Sequence, residues 1–75
     1  MQYHASEKKS RQIQERYPPG TRLQLDQMED PYAPVPPGTL GTVAFVDDAG
    51  QVHMEWDNGR TLALVPGIDR FHVTP

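Results

Sequence analysis

Pro36-Pro37-Gly38-Thr39-Leu40-Gly41-Thr42-Val43, running on to Trp56-Asp57-Asn58-Gly59, is the stretch whose reading decides the fold. Its opening is turn chemistry, because proline presets φ and glycine accepts φ > 0. A strand follows over about residues 40–46. Val43 and Val46 stand three apart, which breaks strict alternation, and a bulge near Ala44-Phe45 lets both point inward. Asp47-Asp48-Ala49-Gly50 then reads as a short hairpin loop. From Gln51 to Trp56 the alternation is clean. Val52, Met54 and Trp56 share the inner face, and Gln51, His53 and Glu55 share the outer one. Asp57-Asn58-Gly59 is a second hairpin signal. Residues 60–65 return as a strand with Leu62 and Leu64 inward, until Pro66-Gly67 breaks it.

Working outward, Thr21-Arg22-Leu23-Gln24-Leu25 alternates and predicts a half-buried strand with Leu23 and Leu25 inward. Pro-Pro-Gly-Thr occurs at 18–21 as well as 36–39, but the flanks do not match. Each copy therefore reads as a turn that launches a strand rather than as part of a repeated unit. Residues 30–38 carry four of the 8 prolines, which cannot donate to a ladder, so they form an extended surface loop. Phe71-His72-Val73 is a short closing strand. Five short strands, with a long loop after the first and tight hairpins among the middle three, follow the order of small SH3-like barrels. Closing such a sheet removes most exposed edges.

Residues 6–16 lack Gly and Pro and are rich in helix formers. Ser6 is the expected N-cap, with Glu7 at the positive end. Pro18 disfavours helical geometry at Tyr17, so the helix ends near Arg16. Its apolar stripe is thin: Ala5, Ile13 and Tyr17. A helix of about ten residues does not stand alone, so it packs through Ile13 and Tyr17, packs on another chain, or frays. The division is a basic helical arm over 1–16 and a barrel over 17–75.

A chain of 75 residues makes one domain. With 0 Cys there is neither a disulfide nor a thiolate metal site. No apolar run reaches the ~20 residues of a membrane span, and the start lacks a signal-peptide core. The expectation is a soluble, cytoplasmic protein. The net charge of -3 is unevenly placed. Residues 1–16 hold four basic groups (Lys8, Lys9, Arg11, Arg16) against two acidic ones, whereas residues 17–75 hold three against eight. An acidic body repels a phosphate backbone and suits a basic protein partner.

Gly41-Thr42-Val43, Val46, Gly50 and Val52-His53-Met54-Glu55-Trp56-Asp57-Asn58-Gly59 resemble the KOW and Tudor-like group of SH3-like barrels. More closely, six motifs together resemble a family of small bacterial proteins of unknown function, associated with phages and conjugative elements. These are Tyr17-Pro-Pro-Gly-Thr21, Asp30-Pro31-Tyr32, Pro36-Pro-Gly-Thr39, Gly41-Thr42-Val43, Trp56-Asp57-Asn58-Gly59 and Leu62-Ala63-Leu64-Val65-Pro66-Gly67. The resemblance covers residues 17–73. It implies an SH3-like fold and a mobile-element setting, and it brings no catalytic residues.

Each candidate site has a plainer reading beside it. Trp56, Tyr32, Phe45 and Phe71 are able to line an aromatic groove of the kind that binds methylated cations. Trp56 and Phe71 read better as core, and Tyr32 and Phe45 as exposed. Asp47, Asp48, Glu55 and Asp57 cluster at the hairpins without the spacing of a calcium loop, so turn chemistry explains them. His4, His53 and His72 are too scattered for zinc. Ser6 and Ser10 have no base beside them. Pro31-Tyr32-Ala33-Pro34 and Pro34-Val35-Pro36-Pro37 match a P-x-x-P ligand, but both ends are tied to strands.

The expected function is a non-enzymatic protein-interaction module, accessory or regulatory in a phage or mobile element, with no cofactor and no metal. Its contact residues are Tyr32, Phe45, Asp47, Asp48 and Asp57. One alternative is a KOW-like nucleic-acid binder led by Lys8, Lys9, Arg11 and Arg16. Another is a regulatory protein that binds a small ligand between barrel and helix.

Overall fold

The computed structural model describes residues 5–32 and 34–75, and the side chains from Lys8 onward. The expected N-cap Ser6, the Glu7 beside it, Ala5 of the apolar stripe and His4 fall outside the side chains described. Ala33 of the first P-x-x-P stretch lies outside the described residues.

One helix, α1 (Ala5–Arg16), precedes four strands: β1 (Arg22–Gln27), β2 (Leu40–Val46), β3 (Val52–Trp56) and β4 (Arg70–Val73). They form a single antiparallel sheet in the order β3-β2-β1-β4. The protein is thus a small, mainly β domain with one short helix. The expected fifth strand over residues 60–65 is not formed. That segment touches β3 at two points, through the mutual Val52–Leu64 backbone bonds at 2.8 Å and the Trp56 N–H donated to Arg60 at 2.9 Å. Between them the Leu62 carbonyl accepts the Trp56 indole N–H at 2.8 Å. The indole thereby takes the acceptor that a continuous ladder would present to β3. Leu64 is still fully buried and Leu62 half-buried, so the inward faces are as expected although the strand is not.

Alternation places the core. Leu23 and Leu25 of β1, Val43 of β2, and Val52, Met54 and Trp56 of β3 are all buried. Fully burying one such side chain is worth about 1.5–3 kcal/mol. Val35, from the middle of the proline loop, is also completely buried. The loop is therefore tied into the core rather than lying wholly on the surface.

The two Pro-Pro-Gly-Thr segments are matching turns. Thr21 N–H reaches Pro18 O at 3.1 Å and Thr39 N–H reaches Pro36 O at 3.2 Å. Gly20 and Gly38 have φ of 92° and 90°, which is the type II turn that requires glycine at its third position. The tertiary structure adds a symmetry. Gly20 N–H donates to Val43 O and Gly38 N–H to Leu25 O; Val43 and Leu25 donate in return to Thr21 and Thr39. Each turn launches one strand and extends the ladder of the other.

The helix docks on its own sheet. Ile13 joins the core, and Tyr17 stands edge-on to Phe71 at 5.3 Å between centroids. Ser10, also buried, donates its hydroxyl to the Asp47 carbonyl at 2.6 Å. Gly50 lies beneath. Its φ is 84°, and a Cβ there would stand 3.2 Å from Ile13 Cδ1, so both conformation and space call for glycine.

Candidate interaction site

The bulge in β2 is what creates the site. Val43 pairs with Met54, but Phe45 pairs with His53, so Ala44 is the extra residue. Without the bulge Phe45 would oppose inward-facing Val52. With it, Phe45 stands on the outer face and remains 51% exposed. Val46, moved back opposite Val52, packs half-buried against the core. The expected bulge is therefore present, with Val43 buried more completely than Val46.

Phe45 has an aromatic partner on the outer face. Its ring stacks on His53 at 4.3 Å between centroids and 7° between planes. His53 Nε2–H in turn donates to Asp47 Oδ2 at 2.8 Å. The other oxygen of Asp47 accepts the Ala49 and Gln51 backbone N–H groups at 3.0 and 2.9 Å. The hydrogen bond from His53, followed by that from Gln51, holds the Asp47 carboxyl below the ordinary carboxylate pKa. Phe45, His53 and Asp47 thus form a connected stack rooted in the hairpin.

Beside Phe45 runs an open groove of about 250 Å³, walled by Tyr17, Pro19 and Val46, with Gln14 at its edge. A second groove of similar size lies between Ser10, Arg11, Gln14 and Asp48. Both lie at the border of the helix, one against β2 and the other against the 47–50 hairpin, where the small-ligand alternative looked for its site. Both are smaller than the roughly 300–1,000 Å³ of ordinary ligand pockets.

The other expected site residues fall elsewhere. Asp57 forms a bidentate pair with Arg22, at 2.8 and 2.7 Å. The Arg22 guanidinium lowers the Asp57 pKa. Asp57 and Asp47 are therefore engaged by their own chain, whereas Asp48 is exposed beside the second groove. Tyr32, in the proline loop, stands 93% exposed. Trp56 is core, as expected, and Phe71 is partly buried against it. His72 Nδ1–H donates to Asp26 at 2.9 Å, and Glu55 is exposed. Lys8, Lys9, Arg11 and Arg16 all lie exposed on the helix. Among the described residues no cluster of His, Cys, Asp or Glu is arranged to hold a metal ion. No helix among them is long and apolar enough to cross a membrane.

Sequence reasoning missed three contributors: His53 as the support of Phe45, and Tyr17 and Pro19 as groove walls. The signal for His53 was present, since counting the bulge places it opposite Phe45. Tyr17 and Pro19 reach the groove only through helix docking, which local pattern does not report.

The family model described as domain of unknown function (DUF4314) matches residues 6–74. No curated protein and no solved structure matches the chain. With nearly its whole length matched, the chain belongs to the DUF4314 family.

Proposed function

We propose that this DUF4314 member is a non-enzymatic protein-interaction module, accessory or regulatory in a phage or other mobile element, and that it engages its partner at Phe45. The observation that carries the reading is a half-exposed aromatic held rigid by the His53 stack beside an apolar groove. Ordering a side chain on binding costs about 0.5–1.5 kcal/mol, and a ring already immobilised avoids much of that. Rigid aromatics next to small pockets are the usual centres of interface energy. The exposed Asp48 adds a negative rim that favours a partner with basic groups. The motif resemblance supports the mobile-element setting. Strand order, the long loop after β1 and the two-point contact of residues 60–65 with β3 support reading the sheet as an SH3-like barrel with a reduced fifth strand.

Affinity capture with the wild-type chain and with Phe45→Ala tests the reading. A protein held by the wild type should be lost from Phe45→Ala while the chain still unfolds in one cooperative transition, its melting temperature lowered by only a few degrees through loss of the His53 stack. Asp48→Lys should weaken the same capture most at low salt. Identical captures by all three baits would overturn the proposal.

A second reading has its own observation: the docked helix leaves Lys8, Lys9, Arg11 and Arg16 exposed together. As a nucleic-acid contact it predicts a gel shift that weakens with salt and vanishes when residues 1–16 are removed. A gel shift insensitive to salt would remove it.

A further inference from the structure

We propose that the protein pairs with a second copy of itself through the open edge of β4, extending the sheet across a two-fold axis at His72. The contact does not use Phe45, which is stacked on β3 at the other end of the strand order.

The two outer strands of the sheet differ in how their edges are covered. The β3 edge is met by the chain's own residues 60–65, through the Val52–Leu64 bonds and the Trp56 N–H donated to Arg60 O. The β4 edge has no such cover, and register decides which groups it presents. Leu25 turns its backbone toward the β2 side, donating to Thr39 O and accepting from Gly38. Arg22 and Gln24 therefore face β4, and Arg22 O accepts the Thr74 N–H at 3.0 Å. His72, opposite Gln24, and Thr74 thus face β1, so Phe71 and Val73 point their N–H and C=O groups outward. Among the described residues no backbone bond reaches those outward groups. Val73 is 51% exposed although its register partner, Leu23, is fully buried. An apolar residue on the core side is thus half uncovered where a further strand would lie. A bare edge of this kind is a template for another strand.

The occupant is a second copy because the edge is complementary to itself in one register. With the axis at His72, Phe71 of each copy opposes Val73 of the other. Both pairs exchange N–H and C=O, so every outward group of Phe71 and Val73 is bonded. An aromatic ring opposite a β-branched side chain is also a favourable cross-strand pair. Arg70 opposes Thr74, so like charges do not meet there. His72 meets its counterpart on the outer face, each ring donating Nδ1–H to its own Asp26, so an acid stands beside each ring. The neighbouring registers are poorer. With the axis at Phe71, Val73 meets Asp69, whose N–H already goes to Val65 O at 2.9 Å. With the axis at Val73, Phe71 meets Pro75, which has no N–H to give. The contact uses the same edge on both copies, so it closes at two.

A dilution series from millimolar concentration, followed by sedimentation equilibrium and amide NMR, tests the proposal on the intact chain. So short a pairing predicts weak association, with Kd on the order of 0.1–1 mM. As concentration rises, the mass should approach that of two copies, and the amide signals of Phe71 and Val73 should move most. In a mixture of isotope-labelled and unlabelled chains, contacts between the Phe71 ring of one copy and the Val73 methyls of the other report the register. Val73→Pro removes an outward N–H without touching the bonds to β1, so it should weaken association at least about tenfold. Val73→Thr keeps both the N–H and the branched side chain, and should associate within about threefold of the wild type. A wild type that stays monomeric throughout overturns the proposal. So does a Val73→Pro chain that associates as tightly as Val73→Thr, or concentration-dependent shifts centred outside β4. Should Val73→Pro fail to fold, the wild-type shifts and the contacts between copies decide alone.

Discussion

The hairpin at Asp47–Gly50 and the loop between Met28 and Val35 are both acidic and both closed by carboxylate-to-backbone hydrogen bonds. They spend their side chains in opposite ways. In the hairpin, Asp47 serves Ala49, Gln51 and His53, and its carbonyl receives Ser10 from the helix. Asp47 is thus spent on the fold, while Asp48 beside it stays exposed. In the loop, the clamp comes from a distant residue, Asp69, and the tip is left to Tyr32. A local acid builds a turn that closes on itself. A remote acid holds the base of a loop and leaves its tip free to display a side chain.

Removing the remote acid should have the largest effect. Asp69→Ala removes the carboxylate acceptor of the Glu29 and Val65 N–H groups, whose bonds are only part-buried, so water offsets some of the loss. A loss of about 1–3 kcal/mol in denaturant unfolding is expected, with faster hydrogen exchange at Glu29 and Val65. That is a large share of the stability available to so small a domain. If exchange rises only in the hairpin, the clamp is not what holds the loop.

Gly50→Ala attacks the other region. The residue would carry a side chain at positive φ, costing about 1–2 kcal/mol, and would crowd Ile13. Unfolding should show that loss together with exposure of Tyr17, read by its fluorescence, as the helix lifts. The Tyr32 loop should be unaffected, which separates the two regions.

Acid should weaken the hairpin. Asp47 has a folded pKa below its ordinary value of 3.8, so in acid the unfolded chain binds more protons. Its contribution is therefore complete above about pH 4 and fades as pH falls through the lowered folded value. Asp57, lowered by Arg22, acts in the same direction. Stability measured from pH 5 downward should decline, and Asp47→Asn should flatten the curve. A steeper curve in that variant would contradict the assignment.

Tyr32→Ala is the smallest change, expected within about 0.5 kcal/mol of wild type by thermal melting. A clear destabilisation would mean that the tip supports the fold and is not simply displayed.

Much of this was legible in the chain. The alternation in residues 21–25 and 51–56 placed Leu23, Leu25, Val52, Met54 and Trp56 inward, and all five are buried. The interval between Val43 and Val46 revealed the bulge, and Pro-Pro-Gly-Thr revealed its turns. Residues 60–65 misled, because Leu62 and Leu64 keep a strand's alternation while the Trp56 indole occupies the Leu62 carbonyl. Val35 looked like loop because its neighbours are prolines, and Asp47 looked like a surface acid because nothing nearby marks His53 as its partner.

Taken alone, the sequence determined which side of each strand faces the core and where the chain turns, because those depend on residues a few positions apart and on backbone geometry. Only the tertiary structure decided that Ser10 and Ile13 seat the helix on the hairpin, that Asp69 clamps Glu29, and that Asp57 is taken up by Arg22. Those outcomes depend on pairing across 35 to 40 positions, which no local period encodes.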